Sequence, residues 1–126
     1  MKIVIETIPH EQHRYPAVGD YWVDKDGTIQ VRVSKLSNWR MEVLIIIHEL
    51  IELFLCRHEQ ISFKAIDRFD IAYEKVRKEG DESEPGDDPK APYVSQHCIA
   101  TGVERILCAL FCISWKKYET ELYKLP

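Results

Sequence analysis

The chain lacks most features that would place it in a special class. No stretch repeats and no tract is of low complexity, and with 45% hydrophobic and 30% charged residues the composition is that of a globular protein, neither disordered nor fibrous. The four cysteines, Cys56, Cys98, Cys108 and Cys112, form no CxxC pair, so free thiols in a reducing compartment are expected. Cys108 and Cys112 are four residues apart, but they lie in an apolar helical pattern and read as core. There is no basic stripe with interleaved aromatics, so binding to nucleic acid through phosphate neutralisation is not expected. The opening "MKIVIETIPHEQHRYP" has one lysine before a strand-like run that ends at Glu6, too short for a signal peptide. The longest apolar run, Val43 to Cys56, falls short of a bilayer span and is broken by His48, Glu49 and Glu52. A cytoplasmic chain with no membrane segment is the resulting expectation.

At 126 residues the chain has the length of a single domain, 1–126, with a real hydrophobic core. Its net charge of −4 is unevenly spread: residues 79–93, "EGDESEPGDDPKAPY", hold six acids against one lysine, which leaves the rest at +1. The prolines and glycines of residues 79–92 make this acidic stretch a long loop, a length that goes with function or disorder.

Periodicity supplies the elements. Residues 2–8 read as a strand ended by Pro9, and "DYWVDKDGTIQVRVSKL" as a hairpin with strands at Tyr21–Val23 and Thr28–Ser34 about a turn at Asp24–Gly27. Ser37 or Asn38 caps a helix from Trp39 to about Arg57 whose near-continuous apolar surface puts it at the centre of the domain. A second helix spans about Ser62 to Lys78, a third about Val94 to Trp115, and "KKYETELYKLP" closes the chain as a short amphipathic tail. The expected class is α+β: a small antiparallel sheet of about three strands followed by about three helices.

Three polar groups in the apolar central helix need a reason to be there. His48 and Glu52 are four residues apart and share one helical face, and Glu49 lies about 100° round and can reach the same point from the flank. That is metal-ligand spacing. A third ligand should come from another element, and the third helix carries His97 and Glu104 on the face that also holds Ala100 and Cys108. His97 is the expected third ligand. Glu104, some 10.5 Å further along the helix, is expected behind the ligands, accepting from a ligand imidazole or from Arg57 or Arg105.

The five residues "HELIE" resemble the HExxH motif of the zinc metallopeptidases, the zincins, with Glu52 where the family has its second histidine. The resemblance implies a zincin-like layout in which His48, Glu52 and His97 hold zinc and Glu49 takes a proton from the attacking water. It also implies that an edge strand, here Gln30–Ser34, aligns a peptide or protein substrate. The carboxylate in the ligand set lowers the metal's Lewis acidity and makes manganese or iron alternatives to zinc. "HELIE", "GDDPKAPY" and "QHCIATGVE" together are similar to small uncharacterised proteins of phages and prophages, which implies a shared site and brings no established activity.

Two further readings compete. In one, the chain is a non-catalytic zincin-like module that binds metal or protein partners. In the other, it is an all-helical nucleotide hydrolase holding magnesium through Glu49, Glu52 and Glu104. His10, His13 and His58 are expected to be solvated, and Asp87 and Asp88 to form a turn rather than a ligand pair.

Overall fold

In a computed structural model that describes residues 1–126, the three strands form one sheet, β1 (Ile3–Ile8), β2 (Gly19–Val23) and β3 (Ile29–Ser34). The β2–β3 hairpin forms as its sequence dictates. Gly27 takes a left-handed φ of +86°, and Asp24 and Thr28 close the turn by a 2.8 Å backbone hydrogen bond. Along β3 the side chains of Ile29, Val31 and Val33 are buried, the last two completely.

The sheet order is β1-β3-β2, with β1 parallel and β2 antiparallel to β3. The α+β layout is thus as expected, but the sheet is mixed rather than antiparallel. The consequence for function is larger than it looks. β3 is the central strand, paired on both sides from Ile29 to Val33, and the Ser34 amide is bonded to the Val18 carbonyl, so Gln30–Ser34 is no edge and has no free backbone to align a substrate.

Four helices follow: α1 (Trp39–His58), α2 (Phe63–Val76), α3 (Val94–Leu110) and α4 (Trp115–Tyr123). Asn38 caps α1 by accepting from the Arg40 amide, and Ser62 caps α2 by accepting from that of Ala65, each worth about 1 kcal/mol. α1 is the central helix. It packs against α3 on one side and against β2 and β3 on the other, with Leu44, Leu53 and Cys56 wholly buried.

The expected third helix ends sixteen residues before the chain does, at Leu110, and a separate α4 begins at Trp115. Cys112 adopts φ +58°, its amide bonds the Ala109 carbonyl, and the Ile113 amide reaches back to Cys108. This is a left-handed helix stop made without glycine. The same device, with Gln60 at φ +60° and Ile61 bonded to Cys56, ends α1. No single helix is long and apolar enough to cross a membrane.

Candidate metal centre

α1 and α3 lie side by side, and the polar residues of each meet in the seam. His48, Glu52, His97 and Glu104 are only 5–7% exposed. Buried charge needs partners, and here the residues partner one another. His48 Nε2, Glu52 Oε2 and His97 Nδ1 form a closed triangle with edges of 3.2, 2.8 and 3.1 Å. Ligand atoms about 2.0–2.2 Å from a tetrahedral ion are about 3.3–3.6 Å apart, so the triangle lies a few tenths of an ångström short of that spacing. These three residues could hold a metal ion.

What lies behind the triangle fixes its orientation. His48 Nδ1 donates to Glu104 Oε1 at 2.8 Å, and the other oxygen of Glu104 accepts from the Tyr118 hydroxyl at 2.6 Å. The remaining oxygen of Glu52 accepts from the Tyr21 hydroxyl at 2.8 Å. His97 Nε2 pairs with Glu84 Oε2 at 3.1 Å and Asp87 Oδ1 at 3.3 Å. Each imidazole therefore has one nitrogen engaged by carboxylate and the other turned to the common point, the arrangement that sets the tautomer of ligating histidines.

The electrostatics follow from these contacts. Burial works against the His48 imidazolium, but the hydrogen bonds to Glu104 and Glu52 outweigh it and lift His48 to about 11. His97 is likewise lifted to about 10, burial being outweighed by Glu52 and Glu84. Burial raises Glu52, yet its two histidine partners bring it down to about 2. A divalent ion entering the triangle must displace the protons that these imidazoles hold toward Glu52.

Glu49 stands apart. It is half-buried and accepts no hydrogen bond from the chain. Its proton affinity is raised well above the usual carboxylate range, by burial first and then by the charge of Glu52. Its carboxylate lies across Gly19 at the start of β2, where any Cβ would collide with it. Gly86 plays the same part for His97, since a side chain there would strike the imidazole ring. Glu49, His48, Glu52 and His97 all line one cavity of about 420 Å³.

All five residues singled out for the centre thus face one place, with Glu104 behind His48 rather than bonded to Arg57 or Arg105. Arg105 instead covers the Trp115 ring. The all-helical layout of the nucleotide-hydrolase alternative is overturned, since three strands precede the helices, and Glu104 is bonded to His48 and Tyr118 rather than set beside Glu49. Asp87 does sit in a 3-10 turn, Pro85–Asp87, as a turn residue should, but it also reaches His97. His10 and His13 are not simply solvated. Both bond the buried Ser34 hydroxyl, at 2.9 and 3.0 Å, while His58 is exposed.

The supporting residues Tyr21, Tyr118 and Glu84 were not foreseen. The tyrosines carry the signature of core aromatics, and only the strand and helix paths bring their hydroxyls to carboxylates. Glu84 sits in a run of similar acids, and nothing local marks it out. Compared with protein-family models, with curated proteins and with solved structures, the chain matches none of them.

Proposed function

We propose that the chain is a zinc-dependent hydrolase of zincin-like design, most simply a small metallopeptidase. The observation that carries this reading is the pair of imidazoles, each held at one nitrogen by carboxylate and turned at the other toward Glu52. Zinc bound there would polarise the scissile carbonyl and acidify a water molecule. Two histidines and one carboxylate are an established catalytic zinc set.

Glu49 supplies the remaining chemistry. Facing the cavity with no partner and with a raised proton affinity, it takes a proton from water as the water oxygen attacks the carbonyl carbon. It then passes that proton to the departing amine nitrogen as the C–N bond breaks, leaving a carboxylic acid and an amine. With β3 paired on both sides, the edge strand that lines the cavity is β2, along which substrate backbone would lie. In its antiparallel register with β3, the amides and carbonyls of Gly19, Tyr21 and Val23 face outward. Substituting Glu49→Gln and assaying peptide hydrolysis tests the assignment: zinc content is expected to hold while the rate falls about 10²–10⁴-fold, and an unchanged rate would refute the role.

A second reading has its own support. The triangle edges are all of hydrogen-bond length, so the same residues satisfy one another as a structural cluster in a non-catalytic module. EDTA treatment separates the two: this reading requires that no hydrolysis be found on any peptide before or after metal is restored.

A further inference from the structure

The carboxylates set into the cavity wall fall into two groups. Asp20 is bound by Arg14 at 2.7 Å, Glu74 by Arg77 at 2.8 Å, and Glu52, Glu104 and Glu84 by the two histidines. Among the wall carboxylates that are not exposed, Asp70 and Glu49 have no cationic partner; Asp81 and Glu82, also in the wall, are exposed. Asp70 is 7% exposed, and its oxygens accept only from neutral hydroxyls, Tyr15 at 3.1 Å on one and Tyr93 on the other. Nearby Arg14 is spent on Asp20 and Asp67. A buried carboxylate without a cation is costly, and both of these open onto the same cavity.

Away from the His48 and His97 pair, the cavity wall offers little to receive an anion. Arg77 is the one arginine or lysine in its wall, and its guanidinium is held by Glu74 and by the Asp81 carbonyl. At Asp70 a substrate carboxylate or phosphate would meet another carboxylate, with no cation beside it. A primary ammonium would instead supply the missing partner, using the second lone pairs of the Asp70 oxygens, which the two tyrosines hold in a fixed direction.

We propose that the ligand of this cavity carries a primary ammonium group, anchored by Asp70 between Tyr15 and Tyr93. Calling that ligand the substrate rests on the hydrolase reading above, and it then favours cleavage beside a free amino group. The ammonium site itself needs no metal. Burial supports the assignment from another side, since it lifts Asp70 to about 7, where a bound cation would restore its charge.

The test is calorimetric titration of the wild-type protein, as purified and after zinc loading, with leucinamide, N-acetyl-leucinamide and Nα-acetyl-lysinamide. Leucinamide, or the lysine derivative if a side-chain amine is the true ligand, should bind at least about tenfold more tightly than N-acetyl-leucinamide, the scale of one charge-assisted hydrogen bond. Asp70→Asn should abolish that preference with zinc content unchanged, and Tyr15→Phe should reduce it. Equal binding of all three compounds by wild type, or a preference that survives in Asp70→Asn, would overturn the proposal. Absence of zinc in a protein that still prefers amines would count against the hydrolase reading alone.

Discussion

The two sides of the cavity are built on opposite rules. In the seam where α1 meets α3 the polar residues engage one another and their neighbours: His48 runs back through Glu104 to Tyr118, Glu52 to Tyr21, and His97 to Glu84 and Asp87. Towards β2 and α2, Glu49, which α1 lays across Gly19, has no partner, and Asp70 of α2 has only tyrosine hydroxyls. The difference separates groups fixed in place from groups left to act on a ligand. A fully satisfied network holds three donor atoms within 3.2 Å of one another, and preorganisation of that kind is what a metal site requires. An unsatisfied carboxylate costs stability and is retained where it meets a ligand or a proton.

Substitutions on the unpartnered side should affect chemistry and charge more than packing. Glu49→Gln is expected to have the largest effect, a loss of about 10²–10⁴-fold in hydrolysis with melting temperature and zinc content close to wild type. A protein that loses its zinc with this substitution would move Glu49 across to the fixed side. Asp70 comes next, through pH. Its folded-state value of about 7 lies above its ordinary 3.8, so between these limits the folded chain holds a proton that the unfolded chain has released. Stability therefore falls as pH rises from about 4 to about 7, by up to a few kcal/mol. Melting curves in EDTA across that range should flatten in Asp70→Asn, and parallel curves for the two proteins would show that Asp70 is not strained by burial.

Substitutions on the engaged side should weaken the hold on metal and the fold, and by less. Removing the carboxylate behind His48, as in Glu104→Ala, should weaken zinc binding about 10–100-fold, measured by competition with a chromophoric chelator. Unchanged affinity would mean that His48 is oriented by its helix alone. Tyr118→Phe takes only the hydroxyl from the same chain of bonds, leaving its wholly buried ring in place. It should cost about 1–2 kcal/mol in urea unfolding, and a neutral result would show that Glu104 needs no second donor.

Much of the engaged side was legible because helical period is a local rule. The spacing of His48 and Glu52, and the apolar residues around them, determine which face they share before any tertiary contact is known. Asn38 and Ser62 mark helix starts as their side chains require. The stops were harder. Cys112 and Gln60 take the left-handed conformation that glycine usually signals, so nothing at those positions separates α3 from α4. Strand pairing was harder still. Alternation identifies Ile29–Ser34 as a strand with one buried face, but it cannot say that Ile3–Ile8 will pair beside it in parallel and take the free edge away. Glu84 and Asp70 have no local signature either, because their roles depend on where the loop and α2 happen to pass.

The central claim is that His48, Glu52 and His97 together hold a metal, and metal content tests it most directly. Untagged protein expressed without added metal should be measured by inductively coupled plasma mass spectrometry, wild type beside His48→Ala, Glu52→Ala and His97→Ala. The account predicts about one zinc per chain in wild type and almost none in each variant. Wild type free of zinc, manganese and iron, or His97→Ala that retains its full complement, would contradict it.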